Sequence, residues 1–559
     1  MIFAAVSLAL GLFVSMWDFA YSRNIEQGHK TTYQMSLWGG MIAESVNKKP
    51  IYLNIDGRPM EIGESVYMDD MLNLMLPLSL LRENFNCSSY VQDGNTLVME
   101  QGDTRIAIRV GEHTIEVNGV AENLDASVTK RGDKLFVPVQ VLEKGLGCQY
   151  TWDVVTNSAS IINVDSSDRK LPVSYDYRKV NRDPQVKNQG EFGTCWAFAA
   201  LTALEASLLP EEELDFSEDH MTLHNSFSFT QNEGGEYTMA MAYLTAWQGP
   251  VLETDDPYGD GKSPDGLKAV KHVQEIQILE GKNYDRIKEM VFRYGGVQSS
   301  LYMPLTNPSS NSEYYNAENY AYCYVGTEKP NHDVVIIGWD DNYPKENFNL
   351  DMEADGAFIC RNSWGESFAD SGTFYISYYD TNIGIHNVVY TRIEEADNYD
   401  TIYQADLCGW VGRLGYAKES SFFSNVYTAK ENESLEAVGF YATGKDTEYE
   451  VYLIHDFKDT SSFKDRQILK TGKFVNAGYY TVGLKEGIPL EKGERFAVVV
   501  KITTPNAKRP IAIEYAADKA TEGVDLSDGE GYVSLYGNAW ESAEEKSCNI
   551  CLKAYTRKR

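Results

Sequence analysis

The stretch NQGEFGTCWAFAALTAL, residues 188–204, sets a cysteine at the mouth of an apolar run whose hydrophobic residues recur at helical spacing. A helix N-terminus stabilises a thiolate through its dipole and its free N–H groups. Cys195 is therefore either one more small core residue or a nucleophile, and the rest of the chain decides. Hydrolysis through a thiol needs a thiolate, a base, a group that orients the base, and donors for the oxyanion. His332 opens an apolar strand-like run, HDVVIIGWDD, 137 residues after the cysteine. Asn362 follows in AFICRNSWGESF, where its side-chain oxygen can accept an imidazole N–H and hold the ring toward sulfur. Gln189, six residues before Cys195, can set its side-chain amide beside the Cys195 backbone N–H as a second oxyanion donor. Trp364 can cover the His–Asn hydrogen bond from water, and Gly365 permits the turn that follows. The other histidines lack such settings. His220 and His224 are four apart and can share a helix face, but no acidic metal-binding pattern completes them.

Taken together, QGEFGTCWAF, NHDVVIIGWDD and RNSWGESF resemble the three signature blocks of papain-like cysteine peptidases, in the same order. The Cys-to-His interval lies within the roughly 130 to 150 residues of that plan. LDFSEDHM, NEGGEYTMAMAYL, GPVLETDDPY and YGGVQSSLYM resemble further elements of the family. The resemblance spans about residues 170–395. It implies a helical lobe carrying Cys195, a β-rich lobe carrying His332 and Asn362, and peptide hydrolysis through a thioester acyl-enzyme. It also implies that Gly234 and Gly235 pair with a substrate strand, that Tyr237, Ser300, Pro330 and Asp333 border substrate pockets, and that Trp196 and Trp364 support the site. No metal or other cofactor is implied. Two positions depart from the family. Phe192 stands where a disulfide cysteine is usual, so this loop is expected to hold by packing. Asp333 follows the base where a small residue is usual. It either borders the pocket for the second residue on the acyl side or is a solvated or hydrogen-bonded rim carboxylate.

Ahead of this region lies an internal repeat. LPLSLLRENFNCSSYVQDGNTLVME and VPVQVLEKGLGCQYTWDVVTNSASI align with Pro77 and Pro138, and Cys87 and Cys148, each 61 residues apart. Each unit reads as a short helix, a turn and alternating strands, so two copies would pack on each other as one small domain. Residues 50–165 resemble the copper amine oxidase N-terminal-like domains of bacterial surface proteins. His113 is the only histidine there, and one histidine is not a copper site, so a binding or spacer role is expected. After about residue 400, short alternating strands such as YEVYLIHDF and RFAVVVKIT suggest a β-sandwich. Residues 400–556, through YDTIYQADLCGWVGRLGY and ESLEAVGFYA, resemble the lectin-like domain that follows the peptidase in some bacterial surface members. Glycan binding is implied by that resemblance, and a spacer sandwich is the alternative.

The apolar run IFAAVSLALGLFVSMW, then Ala20-Tyr21-Ser22, reads as a signal peptide over residues 1–22, with a polar linker at 23–49. No basic residue precedes the run, which leaves an uncleaved anchor as the alternative. The formal net charge of −32 offers no basic footprint for nucleic acid or an anionic membrane. Eight cysteines in so long a chain are too sparse for a disulfide scaffold. Cys548 and Cys551 form an isolated CxxC with no second pair, which argues against zinc. Buried strand cysteines are expected there, with a disulfide to Cys408 left open. The expected fold is multidomain α+β: a papain-like two-lobe peptidase, preceded by a duplicated small α+β domain and followed by a β-sandwich. The expected protein is a secreted or cell-surface bacterial cysteine endopeptidase acting on protein or peptide substrates, with cell-surface glycans as further ligands. The alternative is an inactive papain-like adhesion protein. The sequence leaves the oligomeric state open.

Overall fold

The computed structural model describes residues 51–55, 58–60, 66–85, 87–102, 104–132, 134–153, 157–162, 171–180, 182–305 and 312–559. The expected signal segment (1–22) and linker (23–49) lie outside the described residues. The chain forms two compact units, one of Met1–Phe85 with Asp93–Arg169 and a second of Asn86–Gln92 with Lys170–Arg559.

In the N-terminal unit the sequence repeat is a structural one. Strand Leu74–Pro77 leads into helix Leu78–Phe85, and strand Lys134–Pro138 is followed by helix Gln140–Leu146. The two equivalent strands pair antiparallel, with Leu76 opposite Val137. Leu76, Val137, Leu81 and Val141 are all fully buried, so each copy supplies the apolar cover that the other lacks. His113 is exposed.

The second unit begins with the peptidase region. Helix α1, Cys195–Leu208, is apolar on every side, and each residue from Trp196 to Ala206 is buried. Such a helix must run through the middle of a domain. Helices α2 (Glu218–Leu223) and α3 (Tyr237–Thr245) flank it. The β-rich lobe contributes β1 (Lys271–Ile278), β2 (Val297–Leu301), β3 (His332–Asp340), β4 (Ala357–Arg361), β5 (Thr373–Ser377) and β6 (Asn387–Glu395). Helix Tyr284–Arg293 lies between β1 and β2. The C-terminal region adds β7 (Glu433–Ala442), β8 (Ala477–Leu490) and β9 (Leu552–Lys558).

These strands form one sheet, in the order β5-β4-β3-β2-β6-β1-β8-β7-β9. The peptidase sheet therefore continues into the C-terminal domain without a break. The seam is β1 against β8, with Ile276 opposite Tyr479 and Gln277 opposite Gly478. Pairing two edges removes two rows of open backbone groups at once. A second sheet, which includes Ser420–Thr428, Thr447–Ile454 and Arg495–Thr503, covers the far half. Val438 and Phe440 from β7 pack with Val451, Val498 and Val500 from this sheet, which makes the sandwich core.

A second contact locks the two domains. A Cβ on Gly409 would lie 2.7 Å from the Tyr441 hydroxyl and 3.1 Å from Ala242 Cβ on α3. Gln404 Nε2 donates to the Ala246 carbonyl at 3.0 Å. The cysteines near this junction are not bridged. Cys408, Cys548 and Cys551 are free thiols, so the disulfide left open by the sequence is not formed. Each instead points at a carbonyl: Cys408 at Ser226 (3.3 Å), Cys551 at Gly409 (3.1 Å) and Cys548 at Ala543 (3.4 Å).

The seam has one irreplaceable position. Gly478 has φ +145°, and a Cβ there would sit 2.0 Å from the Ile276 carbonyl oxygen. Gly478→Ala is expected to destabilise the second unit by about 2 kcal/mol or more. Calorimetry should then resolve separate peptidase and sandwich transitions where the parent shows one for this unit. An unchanged midpoint would show that the seam carries no stability.

Candidate active site

Three local structures converge at the N-terminus of α1. The first is the loop 187–194. Its backbone pairs with the segment after β4: the Gln189 N–H donates to the Ser363 carbonyl (2.8 Å) and the Gly365 N–H to the Lys187 carbonyl (2.9 Å). Gly365 adopts φ +74°, as the turn expected there requires. Lys187 is buried and anchors the loop to the helical lobe. Its ammonium meets Glu205 (2.7 Å), Asp215 (2.8 Å) and Glu218 (2.8 Å). Burial raises the Glu218 carboxyl above its ordinary range, against the pull of Lys187.

Tyr258 braces the same loop from the other side. Its hydroxyl donates to the Gln189 carbonyl at 2.9 Å and so accepts from Thr194 Oγ1 at 2.8 Å. Its ring meets Phe192 and Phe198 edge-on, at 6.4 and 4.8 Å between centroids. Packing and hydrogen bonds thus occupy the place of the missing bridge at Phe192.

The second structure is the start of β3 with the end of β4. His332 Nε2 bonds to Asn362 Oδ1 at 2.8 Å. The same Oδ1 accepts the Ser363 backbone N–H at 2.8 Å, which fixes which way the amide faces. Nε2 must therefore be the protonated nitrogen, and in the neutral ring Nδ1 is left as the acceptor. Trp364 lies beside the imidazole, with ring centroids 5.2 Å apart.

Gln189 closes the arrangement. Its Oε1 accepts from Ser363 Oγ at 2.6 Å, and its Nε2 donates one hydrogen to the Phe192 carbonyl at 2.8 Å. That leaves the second amide hydrogen of Nε2 uncommitted to these two partners. Cys195 is partly covered. Its sulfur accepts the backbone N–H of Asp333, the residue beside His332. Hydrogen bonds through Asn362 and Ser363 thus join His332 to Gln189, and the backbone of Asp333 brings Cys195 beside that string. Burial, with the Asp333 carboxylate, pushes the thiol up to about 12. Burial pushes the His332 imidazole down to about 4, against the Asn362 bond.

The third structure is the glycine pair. Gly234 has φ +81°, and a Cβ on Gly235 would lie 2.4 Å from Trp196 Nε1, so neither position tolerates a side chain. Buried Trp196 thereby supports the exposed backbone of Gly235 directly beside the nucleophile. Tyr237 is half-buried and tilts against His386 at 5.8 Å. Ser300 lies opposite Asp333 across β2 and β3. The Asp333 carboxylate is buried and accepts from Gln298 Nε2 at 2.9 Å and from Ser300. It is a hydrogen-bonded group in the wall of the cleft. Pro330 is half-buried in the turn before β3. Sequence reasoning missed Lys187, Tyr258 and Ser363, although the Pro-Tyr pair in GPVLETDDPY held one of them.

A helical lobe with a cysteine at its central helix, a β-rich lobe with a His–Asn pair, and a polar loop between them define a papain-like cysteine peptidase. Comparison with known proteins agrees. Residues 171–393 match the papain family cysteine proteases, and that segment belongs to the family. Residues 51–161 match the copper amine oxidase N-terminal domain and residues 402–556 the lectin-like domain. A viral cathepsin of Epiphyas postvittana nucleopolyhedrovirus is 26% identical over 245 residues, which is 43% of this chain and 69% of the relative. One from Autographa californica nuclear polyhedrosis virus is 24% identical over 240 residues, 41% of this chain and 67% of the relative. Among solved structures, the clostridial cysteine protease Cwp84 after propeptide cleavage is 26% identical with a TM-score of 0.61, covering 69% of this chain and 99% of that one. The cysteine protease and lectin-like domains of Cwp84, a surface layer associated protein of Clostridium difficile, give 27% and 0.60, covering 70% and 90%. Among the described residues, no group of three His, Cys, Asp or Glu is placed to hold a metal ion.

Tyr258→Phe removes both hydroxyl bonds and keeps the ring packing. It is expected to lower kcat by about three- to tenfold with little change in KM, because each bond is worth roughly 0.5–1.5 kcal/mol. A change confined to KM would place Tyr258 outside the oxyanion loop's support.

Proposed function

We propose that this chain is a cell-surface or secreted endopeptidase that cleaves peptide bonds with Cys195, His332, Asn362 and Gln189. The observation that carries this reading is the doubly fixed Asn362 oxygen, which leaves His332 Nδ1 as the base. Burial alone keeps thiol and imidazole neutral. Moving one proton from sulfur to Nδ1 makes each group the other's counterion, and the α1 dipole favours the thiolate. Pairing thus lowers the thiol and raises the imidazole relative to the isolated groups.

The Cys195 sulfur attacks the substrate carbonyl carbon, and the carbonyl oxygen takes the electron pair. Gln189 Nε2 and the Cys195 backbone N–H donate to that oxyanion. Collapse breaks the C–N bond as His332 gives its proton to the leaving amine. This leaves a thioester on Cys195. His332 then accepts a proton from water, which attacks the thioester and releases the acid. Asn362 holds the ring in line through both steps.

Surface placement draws on Cwp84, described as surface layer associated, and on the same peptidase–lectin-like order in this chain. Glycan binding by residues 400–556 rests on the lectin-like family match. The proposed domain limits are 50–165, 170–395 and 400–556.

The reduced protein, incubated with an epoxide thiol inhibitor and with denatured protein substrate, should be labelled at Cys195 and should cleave. Cys195→Ala should do neither. Labelling and cleavage that survive the substitution would overturn the assignment. Gln189→Ala should lower kcat by the equivalent of about 2.7–4 kcal/mol while labelling still occurs.

A further inference from the structure

The described residues contain a cavity of about 900 Å³ where the peptidase meets the lectin-like domain. One wall is Glu236, Tyr237 and Thr238, at the start of α3. These residues directly follow Gly234 and Gly235, which abut Gly193 and Trp196 on either side of the nucleophile. The cavity is thus continuous along the chain with the Gly235 side of the cleft. The other walls are Ile278 of β1 and lectin-like residues, chiefly in segments 410–413, 506–509 and 546–548. The contact of Gly409 with α3 holds the first of these in place.

Its charge is opposite to that of the rest of the molecule. The chain has 82 acidic and 50 basic residues, yet Arg413, Lys508, Arg509 and Lys546 all line this one cavity. Lys546 pairs with Glu541 at 2.6 Å. Arg413 lies over the Trp410 ring at 4.9 Å, and Arg413, Lys508 and Arg509 have no carboxylate partner among the described residues. The one acid in the lining, Glu236, accepts instead from Thr238 Oγ1 at 2.7 Å. Tyr237 lines this cavity and packs against His386 at 5.8 Å between ring centroids. Burial raises its phenol, Glu236 and Asp333 add to that, and Arg413 opposes them, so both domains act on one side chain.

We propose that this cavity is an extended substrate subsite, built jointly by the two domains, that takes an acidic residue of the peptide lying along the Gly235 side of the cleft. The proposal rests on the peptidase reading and names its substrate class. Three cations without a carboxylate partner among the described residues call for an anion, and the run of chain from Gly235 directly into the Glu236–Thr238 wall makes a peptide on the Gly235 side its source. Arg413 and Arg509 offer planar forks suited to a carboxylate. The lectin-like domain then sets specificity for the neighbouring peptidase. Removing it would cost more than an anchor.

The test is a positional set of fluorogenic peptides carrying Glu, Gln or Lys at each of the second to sixth positions on the acyl side of the cleaved bond. The parent protein should prefer Glu over Gln by roughly three- to tenfold in kcat/KM at one of these positions, and the preference should shrink with added salt. Arg413→Gln with Arg509→Gln should abolish that preference, and Arg413→Glu with Arg509→Glu should reverse it toward Lys. A thermal midpoint equal to the parent's establishes that the variants are folded. The same peptides, labelled and titrated against Cys195→Ala protein by fluorescence anisotropy, read the subsite without catalysis. Binding that favours Glu only when the arginines are present supports the subsite even if no peptide is cleaved, and in that case the peptidase reading alone fails. No acidic preference in either assay, or a preference indifferent to the arginines, overturns the proposal. So does competition by a free uronic-acid oligosaccharide with no effect of peptide charge.

Discussion

Two backbone hydrogen bonds hold the site together: Gln189 N–H to the Ser363 carbonyl, and Gly365 N–H to the Lys187 carbonyl. They join the loop that precedes the nucleophile to the segment that orients the base. Backbone pairing fixes a register, and a slip of one residue would turn every side chain to the wrong face. With the register set, Ser363 Oγ reaches Gln189 Oε1, Asn362 Oδ1 reaches His332, and Gln189 Nε2 donates to the Phe192 carbonyl. Gln189 and His332, the proposed oxyanion donor and base, are thus positioned by one strip of main chain. Lys187, buried among three carboxylates, and Tyr258, bonded at both ends of the loop, keep that strip still.

The same economy of backbone pairing joins the peptidase to its lectin-like neighbour. β1 would be an open edge in an isolated peptidase, and β8 closes it. A linker would have left the two domains free to move. A shared sheet, with Gly409 pressed onto α3, holds loops of one domain beside the cleft of the other. The local excess of positive charge at that junction has physical weight because the rest of the chain is so acidic.

The side chains proposed for catalysis could be picked out in the sequence because the chemistry demands particular residue types, and each sits in a short local block. Cys195, His332, Asn362 and Gln189 could be named without a fold. The repeat was legible for a similar reason, since spacing survives in the linear text. The shared sheet was not legible. Which edges pair depends on main-chain groups common to all residues, and alternation in β1 and β8 says only that both are strands. Lys187 and Tyr258 were missed because their partners are distant in sequence: Glu218 is 31 residues away and Gln189 is 69 residues from Tyr258. Asp333 was read as a pocket group or a rim carboxylate. The structure buries it on Gln298 and Ser300, a contact that needs the β2–β3 register to be known.

The central claim is that pairing with His332 overrides the burial that would keep Cys195 a neutral thiol. The rate of Cys195 alkylation by iodoacetamide, followed from pH 4 to pH 10, tests it most directly. The account predicts fast alkylation that is already near its plateau well below the ordinary thiol value of about 8.5, and loss of that low-pH reactivity in His332→Ala. Alkylation that rises only above about pH 9, alike in parent and His332→Ala, would contradict it.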